Sequence, residues 1–319
     1  MNIKDKKFLV IGGGGFIGSH VVDALLKEDV KEVRVYDNFS RGSLGNLKAA
    51  MRDKRLRIIK GDILHRDFLE ETMAGINGVF HLAAVWLLHC LAYPETAFEV
   101  NIRGTFNVIM AAIKRKVERV VFSSSASVYG DALEIPITEE HPYNNETFYG
   151  ATKIAAEQMF KSLGKRYGLN WVGLRYMNVY GPRQDYKGAY TAVIQKIIDR
   201  LEKKRNPILF GSGSQEYDFV YVGDVAQANI FAMKSEASGK NYNVGTGIGT
   251  PLKELAEIII KLYGIKASIG YKPAGLSFVA KRIGATKMAE KDLGFRWKTD
   301  LKAGLKKLIK WRKTQIEVK

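Results

Sequence analysis

The chain of 319 residues has very little cysteine and proline, and both shortages limit the fold classes to which it can belong. Cys90 is the only cysteine, so no intramolecular disulfide can form and the fold does not depend on an oxidising compartment. Proline occurs 7 times against 31 glycines, and many of those glycines follow short apolar runs. This distribution favours alternating strands and helices over an all-β protein.

Long apolar runs are also missing. The most apolar stretch, Gly78 to Ala92, contains two histidines and is shorter than the ~20 residues that a membrane-spanning helix needs. The segment from Met1 to Lys7 is polar and charged and has none of the features of a secretory signal. We therefore expect a cytoplasmic protein with no membrane partner.

Positive charge is abundant, but no long basic run occurs. The 50 lysines and arginines outnumber the 33 aspartates and glutamates, which gives a formal net charge of +17. A basic patch can bind nucleic acid, whereas scattered basic residues are typical of a solvated surface. We expect no nucleic-acid partner, and a positive field that concentrates an anionic substrate. The histidines and the cysteine show no metal-ligand spacing, so no metal site is expected.

Short apolar runs alternate with amphipathic segments through the first half of the chain. The predicted strands are Phe8–Ile11, Glu32–Tyr36, Leu56–Ile59, Gly78–Leu82, Arg119–Ser123 and Trp171–Tyr176. The predicted helices are Ile17–Glu28, His65–Met73, Pro94–Ile113 and Tyr149–Tyr167. This alternation predicts right-handed βαβ units and a parallel sheet that is covered on both faces. The expected fold class is α/β, with a Rossmann-type doubly wound parallel sheet.

The alternation stops after Gly181-Pro182. The later predicted elements are a helix over Tyr190–Lys203, strands over Ile208–Phe210 and Phe219–Val222, and a helix over Leu301–Thr314. No low-complexity linker separates the two halves, so we expect the second to pack on the first. The predicted organisation is a larger domain of residues 1–181 with about 219–247, and a smaller C-terminal α/β lobe of residues 182–218 and 248–319.

A glycine-rich turn joins the first predicted strand to the first predicted helix. Gly12, Gly15 and Gly18 allow the backbone to turn tightly and to approach a pyrophosphate, while the helix N-terminus supplies free N–H groups. Asp37 follows the second strand, 19 residues after Gly18, where a carboxylate can bind both hydroxyls of an adenosine ribose. A carboxylate repels a 2′-phosphate, so NAD is favoured over NADP, although Arg41 nearby keeps NADP as an alternative.

A tyrosine and a lysine four residues apart form the main catalytic candidate. Tyr149 and Lys153 share one face of a predicted helix, where the cation can stabilise a phenolate. Tyr149 could then accept a hydroxyl proton while hydride leaves the same carbon. Ser125 lies in a cluster of hydroxyls at the end of a predicted parallel strand, where ligands bind in such sheets. The ordinary alternatives are a surface Tyr/Lys pair and a serine-rich turn.

Two further polar residues follow strands near the expected cofactor. Asp62, after the third strand, either closes the adenine pocket or caps a helix. His81, at the end of the fourth strand, is expected to pack in the interior and not to act as an acid or a base.

These motifs occur in order along nearly the whole chain. The strings are GGGGFIGSH, YDNFSRG, KGDI, HLAA, VNIRGTFNV, SSSASVYG, YGATK, RYMNVYGPRQ, GAYTAVI and DFVYVGDVA. Together they resemble the extended short-chain dehydrogenase/reductases of the NAD-dependent nucleotide-sugar epimerase/dehydratase family, most of all the UDP-hexose 4-epimerases. The resemblance implies oxidation of C4 to a ketone, rotation of the 4-keto sugar, and return of hydride to the other face by the same NAD.

The resemblance also implies a set of site residues. The catalytic residues would be Ser125, Tyr149 and Lys153. The NAD site would contain Gly12, Gly15, Phe16, Ile17, Gly18, Asp37, Asn38, Asp62, Ile63, Ala83, Asn101, Tyr149 and Lys153. The substrate would contact Ser125, Tyr149, Asn178, Tyr190, Val193 and Arg282. The larger domain would bind NAD, the C-terminal lobe would bind the nucleotide sugar, and Pro94–Ile113 with Tyr149–Tyr167 would form a homodimer interface.

One local feature separates the branches of the family. Dehydratases carry Asp-Glu directly after the active-site hydroxyl, and UDP-glucuronate decarboxylases keep a glutamate in that stretch. Ala126-Ser127 stands there in this chain. The absence of an acid favours an epimerase over both branches.

Other departures concern the substrate and the glycine turn. The family's arginine that pairs with the substrate diphosphate is replaced by Tyr217, which leaves Arg282 or Arg183 to take its place. Lys281 falls close to a position that gates sugar substituents, where a cation would favour a carboxylated sugar. Gly14 replaces the usual alanine of the glycine turn.

The sequence therefore predicts an NAD-dependent epimerase of a nucleotide sugar, a UDP-hexose or UDP-hexuronate 4-epimerase. The alternatives are a nucleotide-sugar reductase, dehydratase or decarboxylase of the same family, and a non-catalytic NAD-binding protein.

Overall fold

The structure, a computed structural model, describes residues 1–186, 192–273 and 279–316. The strands are β1 (Lys7–Ile11), β2 (Glu32–Asp37), β3 (Leu56–Lys60), β4 (Gly78–His81), β5 (Arg119–Ser125), β6 (Trp171–Tyr176), β7 (Asn178–Tyr180), β8 (Ile208–Phe210), β9 (Glu216–Tyr221), β10 (Lys240–Val244), β11 (Gly249–Pro251), β12 (Gly270–Lys272) and β13 (Lys281–Arg282). The α-helices are α1 (Phe16–Leu25), α2 (Arg66–Thr72), α3 (Leu87–Ala92), α4 (Pro94–Ala97), α5 (Thr105–Lys114), α6 (Phe148–Tyr167), α7 (Val193–Glu202), α8 (Val222–Lys234), α9 (Leu252–Tyr263), α10 (Lys287–Leu293) and α11 (Leu301–Ile316).

Seven strands form one parallel sheet in the order β3-β2-β1-β4-β5-β6-β10. The chain moves outward from β1 to β3, crosses back to β4 beside β1, and moves outward again on the other side. In this doubly wound order, dinucleotides bind at the crossing point between β1 and β4. The predicted Rossmann-type α/β fold is confirmed.

Both faces of this sheet are covered. In β1, Phe8 and Val10 belong to one core, which includes residues of α1 and α8, and Leu9 and Ile11 belong to another, which includes residues of α2, α5 and α6. All four side chains are fully buried. Because successive strand residues point to opposite faces, a strand that is apolar throughout needs a layer of helices on each side.

The predicted helix Pro94–Ile113 is helical over its whole length, but it is not α-helical throughout. A π-helical segment over Phe98–Gly104 separates α4 from α5, and α3 precedes the predicted range. A π-helical turn contains an extra residue and often occurs at functional sites. Here it carries the buried Asn101, whose contacts are described below. The predicted helix that starts at Tyr190 begins at Val193 among the described residues.

A smaller sheet lies beyond the carboxyl edge of the main sheet. Its central strand, β9, pairs with β7 and β13 in parallel and with β11 antiparallel. A third core, made largely from α7, α9 and α11, covers this region. β7 starts one residue after β6 ends, so β9 and β13 are brought next to the edge where the main strands terminate.

Several elements of the second half were not predicted from the sequence. Among them, α8 packs against α1, and β10 adds the seventh strand to the main sheet.

Candidate active site

The glycine turn between β1 and α1 has the shape that a dinucleotide pyrophosphate needs. Gly12 has φ +80°, and a β-carbon there would lie 2.7 Å from the backbone nitrogen of Ala83. No side chain caps α1, which begins at Phe16, so the N–H groups of Phe16 and Ile17 are available for an anion. Turn and helix together form a phosphate cradle at the crossing point of the sheet.

Asp37 stands at the end of β2, beside this cradle. Its Oδ2 accepts a hydrogen bond from Gly14 N at 2.8 Å, and its Oδ1 accepts one from Phe39 N at 2.8 Å. Burial raises the pKa of this carboxyl, and the two backbone donors act against the rise. Arg41, the residue that kept NADP as an alternative, stacks 3.4 Å from the ring centre of Trp86 and lies 3.5 Å from an oxygen of Asp185.

Asp62, which follows β3, is joined to the loop after β2. Its Oδ2 accepts a hydrogen bond from Asn38 Nδ2 at 2.8 Å, and its Oδ1 accepts one from Leu64 N at 2.9 Å. The next residue, Ile63, is buried, and its carbonyl accepts a hydrogen bond from Asn107 Nδ2 at 3.0 Å. These contacts bring the ends of β2 and β3 together on the side where the sequence predicts the adenosine.

Asn101 holds the loop after β4 against α6. Its Oδ1 accepts a hydrogen bond from Val85 N at 2.8 Å, and its Nδ2 donates to Val85 O and to Thr152 Oγ1, both at 3.1 Å. Thr152 directly precedes Lys153, so Asn101 connects the segment that contains Ala83 to the catalytic helix.

Ser125, Tyr149 and Lys153 meet at the carboxyl end of β5. The Ser125 hydroxyl accepts a hydrogen bond from Ser127 N and donates one to Ser127 Oγ, both at 3.1 Å, and it lies close enough to the phenol of Tyr149 to lower the pKa of that group. Lys153 is buried, donates to Ser123 O at 2.8 Å, and has its Nζ 5.7 Å from the ring centre of Tyr149. The predicted hydroxyl, phenol and ammonium therefore lie in one place.

The electrostatics of these groups explain why they are needed together. Burial raises the pKa of Tyr149 to about 12, and the contact with Ser125 and the positive charges of Arg282 and Arg41 act against that rise. Burial lowers the pKa of Lys153 to about 8, and Cys90 and Glu157 act against that change. The phenol stays protonated at neutral pH unless further positive charge reaches it, and the buried ammonium is close to its own titration.

Besides Ser125 and Tyr149, the residues predicted to touch the substrate follow β6 in the chain. Asn178 starts β7 and donates to Asp218 O at 3.3 Å, and Val193 starts α7. Arg282 lies on β13, close enough to Tyr149 for its charge to act on the phenol. Tyr190 lies outside the described residues.

His81 is a packed interior residue. It is 1% exposed, its Nε2 lies 3.0 Å from Thr105 Oγ1, and burial lowers its pKa to about 3. Over residues 1–186, 192–273 and 279–316, no group of three or more His, Cys, Asp or Glu residues could hold a metal ion. None of the helices in these ranges is long and apolar enough to cross a membrane.

Comparison with known proteins agrees with this geometry. The model of the NAD dependent epimerase/dehydratase family matches residues 8–245. The chain belongs to this family. A Methanocaldococcus jannaschii protein, provisionally named UDP-glucose 4-epimerase, is 36% identical over 308 residues, which are 96% of this chain and 98% of that protein.

Other relatives include a second type of enzyme. Human dTDP-D-glucose 4,6-dehydratase is 32% identical, covering 96% of this chain and 89% of its own length. The structure of UDP-N-acetylglucosamine 4-epimerase from Methanobrevibacter ruminantium, in complex with UDP-N-acetylmuramic acid, superposes with a TM-score of 0.93 at 34% identity. That match covers 98% of this chain and 99% of the other. Relatives of this chain thus include both 4-epimerases and dehydratases of nucleotide sugars.

Membership of the family makes NAD the cofactor, and the residues described above fit it. The fit rests on the uncapped start of α1, the bare glycine turn opposite Ala83, and the carboxylate of Asp37 at the end of β2. The prediction of an NAD-dependent epimerase/dehydratase-family enzyme is confirmed at this level.

The structure distinguishes between the two arginines that could replace the family's missing diphosphate ligand. Tyr217 pairs in register with Arg282 on the parallel strand β13, so both side chains project from the same face. Arg282 Nε is buried without a hydrogen-bond partner, and among the described residues no carboxylate lies within 4 Å of this side chain. Arg183 also has one buried nitrogen without a partner, NH1, but its NH2 pairs with Asp23 of α1 at 2.7 Å, so this guanidinium already has a carboxylate partner.

Lys281 does not face the site. Its side chain is 60% exposed, and its Nζ lies 3.4 Å from an oxygen of Glu216. Neighbouring strand residues point to opposite faces, so Lys281 and Arg282 cannot both project toward Tyr149. The hypothesis that Lys281 selects a carboxylated sugar therefore has no support from the structure.

Sequence reasoning missed three residues around the site. Glu157 and Arg175 form a buried ion pair behind the catalytic helix, and Trp86 stacks on Arg41. Glu157 had a usable signal, because it follows Lys153 by four residues and so lies on the same helix face. Trp86 and Arg175 carry no such signal, because their partners are remote in sequence.

Proposed function

We propose that the chain is an NAD-dependent 4-epimerase of a nucleotide sugar, with a UDP-hexose or a UDP-hexuronate as its substrate. The observation that carries the proposal is the meeting of Ser125, Tyr149 and Lys153 beside the glycine turn. NAD held by that turn would supply the hydride acceptor for oxidation at C4 and the hydride donor for reduction of the ketone.

Tyr149 moves the proton in both directions. Its phenol takes the proton of the C4 hydroxyl when the sugar is oxidised and returns it when the ketone is reduced. The burial that raises its pKa must be offset, and the Ser125 contact together with nearby positive charge acts in that direction. Lys153, fixed on Ser123 O at 2.8 Å, keeps its ammonium in place throughout the cycle.

The residues after Ser125 support epimerisation over elimination. Ala126 and Ser127 are both buried in a short 3-10 turn, and neither can donate a proton to a departing hydroxide at neutral pH. A 4,6-dehydratase needs such an acid, because the C6 hydroxyl leaves as water. The lack of an acid directly after Ser125 therefore favours reduction of the 4-keto sugar over loss of water.

We assign the substrate diphosphate to Arg282. This arginine projects from the same face as Tyr217, where the family carries its phosphate-binding arginine, and its Nε has no partner. The positive charge is thus carried by the neighbouring strand β13 and not by β9. This assignment places the nucleotide sugar on the C-terminal lobe (182–218 and 248–319) and NAD on the larger domain (1–181 with about 219–247).

The direct test is turnover without added cofactor. Purified protein is incubated with a panel of UDP-, GDP-, CDP- and dTDP-sugars, and products are identified by NMR. We expect the C4 epimer of at least one UDP-sugar, because NAD that is restored in each cycle need not be supplied. A strict need for added NAD(P)H would favour the reductase alternative, and a 4-keto-6-deoxy product would favour the dehydratase.

Homodimer formation is also proposed, through the face formed by α3, α4, the π-helical segment, α5 and α6. These elements pack on one another, and they expose large apolar side chains, namely Leu91, Tyr93, Phe98, Phe106 and Phe148. A second copy of the same face would cover them. Light scattering that gives the mass of a monomer at micromolar concentration would contradict this.

A further inference from the structure

A buried ion pair lies directly behind the catalytic helix. Glu157 on α6 is 1% exposed in its side chain, and Arg175 on β6 is 5% exposed. The guanidinium forms two hydrogen bonds to the carboxylate, Nε to Oε1 at 2.9 Å and NH2 to Oε2 at 2.7 Å. A buried pair of this kind carries a large desolvation cost, so its presence calls for a reason other than stability alone.

The remaining lone pairs of Glu157 are also used. Oε1 accepts a hydrogen bond from the Ser124 hydroxyl at 2.5 Å, and Oε2 accepts one from the Tyr143 hydroxyl at 2.9 Å. On the other side, Arg175 NH1 donates to the Tyr129 hydroxyl at 2.8 Å. One carboxylate therefore joins α6 to β5, to β6 and to the segment that leads into the helix.

The contact with Ser124 connects the ion pair to the catalytic residues. Three consecutive residues of β5 each meet α6: Ser123 O receives Lys153, Ser124 reaches Glu157, and Ser125 meets Tyr149. Glu157 is thus the most C-terminal of the three residues of α6 that contact this end of β5. A shift of α6 relative to β5 would change the distance between the Ser125 hydroxyl and the phenol.

We propose that Glu157, held by Arg175, is a positioning residue of the active site: it fixes α6 on the end of β5 and places a carboxylate one helical turn from Lys153 on the same face of α6. This inference rests on the proposed function, because it assigns the ion pair to the same reaction. Glu157 would act in two ways. Its hydrogen bond with Ser124 would hold α6 against β5, and its charge would act through space on Lys153.

The groups that face Lys153 make the charge of Glu157 important. His81 of β4 has a pKa of about 3 and is neutral, and burial raises the pKa of the Cys90 thiol of α3 to about 11. Tyr149 of α6 is a protonated phenol before substrate binds. Among these described groups, Glu157 is the one carboxyl group, and Arg175 places a guanidinium beside it. Burial lowers the pKa of Lys153 to about 8, and the carboxylate opposes a further fall.

Two variants separate the effects. Glu157→Gln keeps the shape and removes the charge; we expect kcat to fall ~10-fold with little change in KM, and the high-pH limb of the kcat profile to move down by about 1 pH unit. Ser124→Ala removes the anchor and keeps the charge; we expect kcat to fall while the limb stays in place. Glu70→Gln is the matched control. Glu70 lies on α2, away from Lys153, and is a buried carboxylate that pairs with Lys114 and Arg115 at the end of α5.

The outcomes are decisive in each case. A high-pH limb of Glu157→Gln that coincides with that of the wild type and of Glu70→Gln would overturn the charge effect. Unchanged kcat in Ser124→Ala would overturn the anchor. If Glu157→Gln does not fold, Glu157→Asp is tested instead. It keeps the carboxylate, but the shorter side chain moves that carboxylate away from the Ser124 hydroxyl. Its kcat should then fall with the limb unmoved, and a moved limb or a wild-type kcat would contradict the proposal.

A readout that does not depend on epimerisation separates this inference from the proposed function. The affinity of NAD-depleted protein for NAD is measured against pH by calorimetry, because Lys153 is expected to hold the nicotinamide ribose. Affinity should begin to fall at a lower pH in Glu157→Gln than in the wild type. Identical pH profiles of NAD affinity would reject the charge effect, whether or not the wild type turns over a sugar. A wild type that turns over no sugar in the panel would reject only the proposed function.

Discussion

Replacing Gly14 by alanine tests how closely the NAD loop is packed. A β-carbon at this position would lie 2.8 Å from Cε1 of Phe39 and 3.1 Å from Oδ2 of Asp37. The backbone of Phe39 is held, because its N–H donates to Asp37 at 2.8 Å and its φ is +56°, so the contact can be relieved only by a rotation of the ring. The family resemblance implies alanine at this position, yet the contacts around Gly14 predict that the substitution is harmful in this chain.

The expected magnitude follows from the cost of overpacking. An added methyl group that forces its neighbours apart costs about 1–3 kcal/mol. If the strain falls on the loop that holds Asp37, 1.4 kcal/mol corresponds to about a tenfold weaker Kd for NAD. The assay is calorimetric titration of NAD-depleted protein, with the unfolding temperature measured in parallel.

Two variants make the result specific to Phe39. Gly14→Ala combined with Phe39→Ala should recover most of the lost affinity, since the ring edge is gone. Gly270→Ala is the control, because a β-carbon there meets nothing closer than 3.5 Å. Wild-type affinity in Gly14→Ala, or no recovery in the double variant, would refute the packing argument.

Four further predictions concern catalysis and stability. Tyr149→Phe should lower kcat ~10²-fold or more with KM nearly unchanged, since only proton transfer is lost. Steady-state kinetics on the epimerised sugar measure this effect, and full activity in the variant would contradict the assignment of Tyr149 as the base. Activity of the wild type should fall as pH rises through about 8, where Lys153 loses its proton, and a pH–kcat profile that is flat to pH 9.5 would count against it. Arg282→Gln should raise KM for the nucleotide sugar ~10-fold or more, as expected when a charged hydrogen bond is lost, whereas an unchanged KM would remove this residue from the diphosphate site. The free energy of unfolding should fall as pH drops from about 6.5 toward 4, because unfolded His81 takes up a proton that folded His81, with a pKa of about 3, does not; denaturant titrations of His81→Gln should show a shallower fall, and equal slopes would oppose the assignment.

The first half of the fold was predictable because its signals are local. Each strand of the main sheet up to β6 contains two or more β-branched or aromatic residues within four to seven positions, and in β1 the residues Phe8 to Ile11 are buried on both faces. Glycines or polar residues follow these runs. The seventh strand, β10, reads Lys-Asn-Tyr-Asn-Val and has too little apolar character to stand out. Its place in the sheet comes from tertiary pairing with β6.

The candidate site shows the same division. The spacing of Tyr149 and Lys153 predicts a shared helix face without any tertiary information. The choice between Lys281 and Arg282 could not be made from spacing, because a shift of one residue in a strand reverses the face. It was decided by the pairing of Arg282 with Tyr217. A single amino-acid sequence does not show which strands pair when those strands are far apart along the chain.

The position of β10 has a consequence for biosynthesis. Asn243 of this strand accepts a hydrogen bond from Tyr129 and donates one to Ile137 O, so it supports the segment that follows the catalytic serine. Until residues 240–244 have left the ribosome, β6 is the open edge of the sheet, although all six of its residues are buried in the finished protein. An exposed apolar edge is a template for aggregation. The nascent chain should therefore depend on chaperones between the emergence of β6 and that of β10, a window of about seventy residues of synthesis.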